Sequence, residues 1–147
     1  MAFAATAVAA CFLIGPLSFR PTNLGAARGK LAPCPDSPNC VCSQEPAVSS
    51  HYIAPLAFKS SPAAALGKLK TALGRMKRVT VVEASDDYVY AEFRTAVLRF
   101  VDDVEFVIDP GTKLIHVRSA SRVGRSDLGV NRRRVEEIRA RFEALDP

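Results

Sequence analysis

The residues of this chain best equipped for chemistry crowd into one run, from Arg118 through Ser119, Ser121, Arg122, Arg125, Asp127, Asn131 and Arg132 to Arg134. Between Arg118 and Arg141 eight arginines stand against three acids, Asp127, Glu136 and Glu137. That excess of five equals the net charge of +5 of the whole protein, and the remainder is balanced at twelve bases and twelve acids. A local excess of guanidinium groups attracts anions. Gly124 and Gly129 allow tight turns that feed a helix start, where free backbone N–H groups also face anions. Arg118, Arg122, Arg125, Asp127, Asn131, Arg132 and Arg134 are therefore candidate ligand- or partner-binding residues, with Asp127 or Asn131 also able to cap the helix.

Two other readings compete for the same residues. The arginines suit a solvated helix face with internal ion pairs. Asp102 and Asp103 are natural ion-pair partners for Arg118 or Arg122, and buried charges need such partners, so these four residues also have a purely structural reading. The run has no interleaved aromatics, and no helix-turn-helix, RNA-recognition or zinc-finger pattern accompanies it, which argues against nucleic acid as the partner. His116, Asp102, Asp103, Ser119 and Ser121 offer acid, base and nucleophile types. No nucleophile elbow, metal pattern or phosphate-binding glycine loop organises them, so the expectation leans away from an enzyme and includes no cofactor.

The second concentration of reactive groups is the loop from Pro33 to Ser43, with Cys34, Cys40 and Cys42 among three prolines and an asparagine. Such a loop is tight and stiff. It can bring Cys34 and Cys40, six residues apart, within bridging distance. A disulfide there closes a short loop and implies an oxidising compartment. The spacing C-x5-C-x-C is not the paired C-x2-C of structural zinc sites, so no metal is expected. Cys42 is the odd thiol, and nothing nearby in sequence lowers its pKa.

The elements that must position these residues are readable from periodicity. Ser60 or Ser61 can cap a helix that Pro62 begins and that runs to Lys77, with Leu66, Leu69, Leu73 and Met76 as its apolar stripe. Strand-like runs follow: Val79 to Ala84, Tyr88 to Arg94, Val97 to Val101 and Val104 to Ile108 on either side of Asp102-Asp103, and Leu114 to about Ala120. Asp86-Asp87 and Asp109-Pro110-Gly111 read as turns. A last helix spans about Val130 to Leu145, its stripe being Val135, Ile138, Phe142 and Leu145. The order α-β-β-β-β-α predicts an α+β fold: a four-stranded antiparallel sheet with both helices on one face. The other face, with Tyr88, Tyr90 and Arg94, is left to the cysteine-loop segment or to a partner.

Residues 1–19 carry no charge. They read as an apolar signal or membrane-anchor segment, although no basic residue precedes the run and Gly15-Pro16 interrupts it. Val8 to Cys11 also fits a lipoprotein cleavage pattern, with few residues ahead of the cysteine. Residues 20–32 read as a linker, and residues 33–147 as a single α+β domain.

Three segments together resemble the family known as domain of unknown function 1499: RPTNLGAARGKLAPCPDSPNCVCSQ, FVDDVEFVID and RSASRVGRSDLGVNRRRVEEIR. The resemblance covers about residues 21 to 145, with Cys42 standing where a serine is expected. It implies a small exported or membrane-associated protein, in a bacterial periplasm or a plastid thylakoid. It implies no activity and no catalytic residues. The expectation is a non-catalytic accessory or assembly subunit of a membrane-associated complex, with a protein partner at the membrane. The alternatives are a binder of a small anionic ligand or lipid headgroup, and an enzyme of unknown reaction.

Overall fold

The structure, a computed structural model, describes residues 18–146. The greater part of the apolar N-terminal segment, including Cys11, lies outside the described residues. In chain order the elements are β1 (Cys40–Cys42), β2 (Leu56–Ala57), α1 (Pro62–Gly74), β3 (Val79–Ala84), β4 (Tyr88–Arg94), β5 (Val101–Asp109), β6 (Leu114–Ser121) and α2 (Val130–Glu143). The last four strands form an antiparallel meander, and β1 extends it beyond β6 to give the order β1-β6-β5-β4-β3, with β2 also pairing β6. The fold is thus α+β with an antiparallel sheet and two helices, as predicted, but among the described residues the sheet has six strands rather than four.

The miscount has two physical sources. β1 and β2 are three and two residues long, too short to show a period of two. Of the run Val97 to Val101, residues 97–100 are loop and Val101 opens β5. Thr95 and Phe100 close the loop, the Thr95 N–H donating to the Phe100 carbonyl at 2.9 Å and the Phe100 N–H to Thr95 Oγ1 at 2.9 Å. β5 then runs unbroken through Asp102 and Asp103. Aspartates disfavour strands in general, but consecutive side chains point to opposite faces, and each of these two finds cationic partners on its own face.

α1 begins as its sequence indicates, with Ser61 Oγ accepting the Ala64 N–H at 3.2 Å and Pro62 in the first turn. Both helices lie on one face of the sheet. Leu69 and Leu73 of α1 and Val135, Ile138 and Phe142 of α2 join Val89, Val104, Phe106 and Val117 from the strands in the main apolar core.

The opposite face is buried too, under residues 18–35, which cross it as a strap. Residues 20–32 are therefore not a free linker. Leu31, Leu24 and Ala26 pack on Tyr88, Tyr90, Val107 and Cys42. The Gly25 N–H donates to Glu105 Oε1 at 2.7 Å, the Leu31 N–H to Gln44 Oε1 at 2.8 Å and the Cys34 N–H to Glu45 Oε1 at 2.7 Å. A tight reversal, with reciprocal Ala27–Lys30 backbone bonds and left-handed Arg28 (φ 54) and Gly29 (φ 75), turns the strap back on itself. The Cys34–Cys40 disulfide, with Cα atoms 5.6 Å apart, fastens its end to β1. Cys42 is a buried free thiol, its pKa raised chiefly by that burial.

Candidate functional site

Arg122, just past β6, is the hub of the strap-covered face. Its Nε donates to both oxygens of Asp103 at 3.1 and 2.9 Å. Its Nη2 lies 2.7 Å from Asp103 Oδ1, 2.6 Å from Glu92 Oε1 and 2.9 Å from Tyr90 Oη, and Nη1 donates to the Ser18 carbonyl at 3.2 Å. The register explains the demand for such a hub. Glu92 and Asp103 stand directly opposite each other on β4 and β5, and two facing carboxylates repel. From the strap, Arg20 adds a bond to Glu92 Oε1 at 3.0 Å and lies over the Tyr90 ring. Two positions along β5, Glu105 faces Arg118 on β6 and accepts from Arg118 Nη1 (3.3 Å), Tyr88 Oη (2.8 Å) and the Gly25 N–H. Arg118 Nε is buried and has no hydrogen-bond partner among the described residues.

Glu92 and Arg122 hold their charges firmly. Burial pushes the Glu92 carboxyl up, but hydrogen bonds from Arg122, Arg20 and Tyr90 outweigh it and hold the pKa at about 2. Burial works against the Arg122 cation, but Asp103 and Glu92 more than compensate and raise its pKa. Burial, then hydrogen bonding to Glu105 and Asp103, pushes the Tyr88 and Tyr90 phenols far up. Glu92, Arg122 and the two phenols therefore exchange no proton near neutrality, and the arrangement reads as architecture rather than acid–base machinery.

The sequence-predicted residues are not brought together in one place. Asp102 points to the helix-covered face, where it pairs with Arg134 of α2. Arg134 Nη1 also donates to Asn131 Oδ1 at 2.6 Å, and the guanidinium lies 4.9 Å from the centroid of the Phe93 ring. Asn131 is buried inside α2 and accepts from Ser119 Oγ at 2.6 Å. The helix start belongs to Gly129 (φ 76). Asp127, two residues earlier, accepts the Gly129 and Asn131 N–H groups at 2.9 and 2.8 Å. Arg132 reaches the Ser50 carbonyl at 2.8 Å, and Arg125 is exposed. Of the two aspartates, only Asp103 meets one of its expected arginines, Arg122. Arg118 meets Glu105 instead. His116, its pKa lowered by burial, sits 3.2 Å from Ser43 Oγ, apart from both aspartate networks.

What the fold assembles instead is a cationic cleft of about 700 Å³. The register Val79↔Phe93 sets the α1–β3 connection beside the end of β4, and the first turns of α2 close the third side. Arg75, Lys77 and Arg78 follow the C-terminal end of α1, where cations are favoured. They meet Arg94 and, from α2, Arg133 and Arg141. The one acid in the lining, Glu137, is held by Arg141 at 2.8 Å. Arg78 and Arg133 bond only to backbone carbonyls, and among the described residues Arg75, Lys77, Arg78 and Arg133 have no carboxylate partner. The run from Arg75 to Arg78 is the signal that sequence reasoning passed over: three cations in four residues just beyond an apolar helical stripe.

The model of a family described as a protein of unknown function, DUF1499, matches residues 30–142. The chain belongs to this family. The match takes in every residue of the cleft and both buried charge networks except Arg20, Gly25 and Ser18 on the strap, so the cleft lies within the matched part of this chain. Searches of curated proteins and of solved structures returned no match. Among the described residues of this DUF1499 chain, no helix is long and apolar enough to cross a membrane, and no group of three or more His, Cys, Asp or Glu is placed to hold a metal ion.

Proposed function

We propose that this protein is a non-catalytic binding module serving a membrane-associated assembly in an oxidising compartment, and that the cationic cleft is its working surface. The ligand presents closely spaced anionic oxygens, as a phosphate group does, free or as a lipid headgroup. The observation that carries this reading is the set Arg75, Lys77, Arg78 and Arg133, four cations converging on one cleft without carboxylate partners among the described residues. The buried arginines Arg118, Arg122 and Arg134 are neutralised by carboxylates, whereas the charge left over in the cleft is available to a partner. The Cys34–Cys40 disulfide supports the exported or lumenal setting.

The test is an NMR titration with inorganic pyrophosphate and with glycerol phosphate. Amide shifts should concentrate at Arg75 to Arg78 and Val130 to Arg134, weaken steeply with salt, and fall at least tenfold in apparent affinity in an R75A/R133A variant of unchanged melting temperature. Shifts scattered over all surface cations, or none, would sink the reading.

An accessory-subunit role has its own supporting observation. Among the described residues β3 is an edge of the sheet with no strand beyond it and exposes Val81 and Val82, the kind of strand that another chain can extend. Native-gel migration of the endogenous protein tests it: comigration with a large membrane complex supports the role, and migration of the free chain removes it.

A further inference from the structure

The end of the sheet that holds the cleft also carries two strongly exposed apolar residues, Val97 and Leu128. The loop from Thr95 to Phe100 and the loop from Arg122 to Gly129 enclose a second concavity of about 460 Å³, its apolar lining formed mainly by Val97, Leu98, Val123 and Leu128, with Asp102 and Asp127 also in its wall. It adjoins the cleft, sharing Thr95, Ala96 and Val130 with it. Val97 is 71% exposed and Leu128 84%, one on each loop tip. Leu128 is held at φ 52, a left-handed conformation that a branched, bulky residue seldom adopts, so the loop spends conformational energy on presenting it. Arg99, at φ 54 beside Val97, is exposed as well and has no ion-pair partner among the described residues. The chain enters the described structure at this same end: Arg122 holds the Ser18 carbonyl, and its neighbour Val123 lines the apolar concavity. Ser18 is therefore held beside the apolar loops.

An exposed apolar patch that adjoins a cleft of cations without carboxylate partners among the described residues is complementary to one kind of partner: a bilayer surface with anionic headgroups, where apolar tips enter the acyl boundary and cations stay at the phosphates. We infer that this end of the domain docks on an anionic membrane surface, with Val97 and Leu128 inserted below the headgroups and the cleft arginines holding lipid phosphates. This rests on the cleft's being an anion site and adds what that site faces.

The chain contains no tryptophan, so single tryptophans report depth without interference, whatever the N-terminal segment does. Full-length V97W, L128W and, as a control at the far end of the sheet, T112W are mixed with vesicles of phosphatidylcholine, with and without phosphatidylglycerol. The expected result is a blue shift, and quenching by brominated acyl chains, for V97W and L128W on phosphatidylglycerol vesicles only, with T112W unchanged. Charge removal by R75A/R133A should reduce the shifted fraction at least tenfold. If V97W and L128W keep water-like emission on bound vesicles while pyrophosphate still perturbs the cleft, docking is overturned and the anion site survives. If neither probe responds, both fall. If V97W and L128W shift equally on neutral vesicles, the charge-dependent docking inferred here is overturned.

Discussion

The two faces of the sheet are both buried, and they are built on opposite chemistry. The helix-covered face is a continuous apolar layer around Phe106 and Phe142, with the Asp102–Arg134 pair as its ionic contact. The strap-covered face sets Glu92, Asp103 and Glu105 against Arg20, Arg118 and Arg122, with two tyrosines bridging them. Helices supply wide apolar stripes and so can cover an apolar face. A strap with little secondary structure brings few apolar side chains and many backbone groups that need partners, and a charged face can satisfy them. The lesson is that burial and hydrophobicity separate when the covering element is irregular.

The comparison is tested hardest at Arg122. Arg122→Ala leaves Asp103 and Glu92 facing each other without their shared cation, and it should cost about 3–5 kcal/mol in denaturant unfolding. Phe106→Ala, on the other face, should cost a similar amount, about 3–5 kcal/mol, by opening a cavity. Acid distinguishes them. At pH 4 part of the carboxylate repulsion is relieved by protonation, so the Arg122→Ala deficit should shrink while the Phe106→Ala deficit stays constant. Equal pH profiles for the two variants would erase the distinction between the faces.

The wild-type protein should itself show the charged face on acidification. The Glu92 pKa is depressed in the folded state to about 2, from an ordinary value of 4.5. Its contribution is therefore fully present above pH 4.5 and lost as pH falls towards 2. Melting temperatures across that window should decline, and the decline should be smaller in Glu92→Gln. Reducing the Cys34–Cys40 disulfide frees one end of the strap and should cost about 2 kcal/mol for so short a loop. Near-ultraviolet signals of Tyr88 and Tyr90 should change on reduction more than the helix signal does. The smallest effect belongs to the cleft. Arg75→Ala and Lys77→Ala should each stay within about 0.5 kcal/mol of wild type, while pyrophosphate binding falls; a large loss of stability there would make the cleft architectural.

The alternation of Tyr88 to Arg94, both helical stripes, the Ser61-Pro62 helix start and the Cys34–Cys40 pairing were legible in the sequence, because each depends on neighbours within one element. The charged face was not. Glu92 and Glu105 alternate with apolar residues, which is also how a solvated strand face reads, and only the strap turns that face inward. Nor does sequence sort the arginines. Arg118 and Arg122 share a face through strand parity, Arg134 reaches Asp102 through the rotation of α2, and neither can be known before the register is. The cleft draws on residues from 75 to 141, so its charge density appears in no single window of the chain.

The strap also sets an order of events. Its bonds join residues far apart along the chain: 72 positions for Arg20–Glu92, 80 for Gly25–Glu105 and 104 for Ser18–Arg122. The β-meander beneath it closes short turns. Loop-closure entropy favours the meander first, so three acids and two arginines of the future charged face collapse while still in water and are dehydrated only when the strap arrives. The strap is then the last part to dock and the first to open, back to the Cys34 anchor. Native-state hydrogen exchange should accordingly release the Gly25 amide well before the amides of β5.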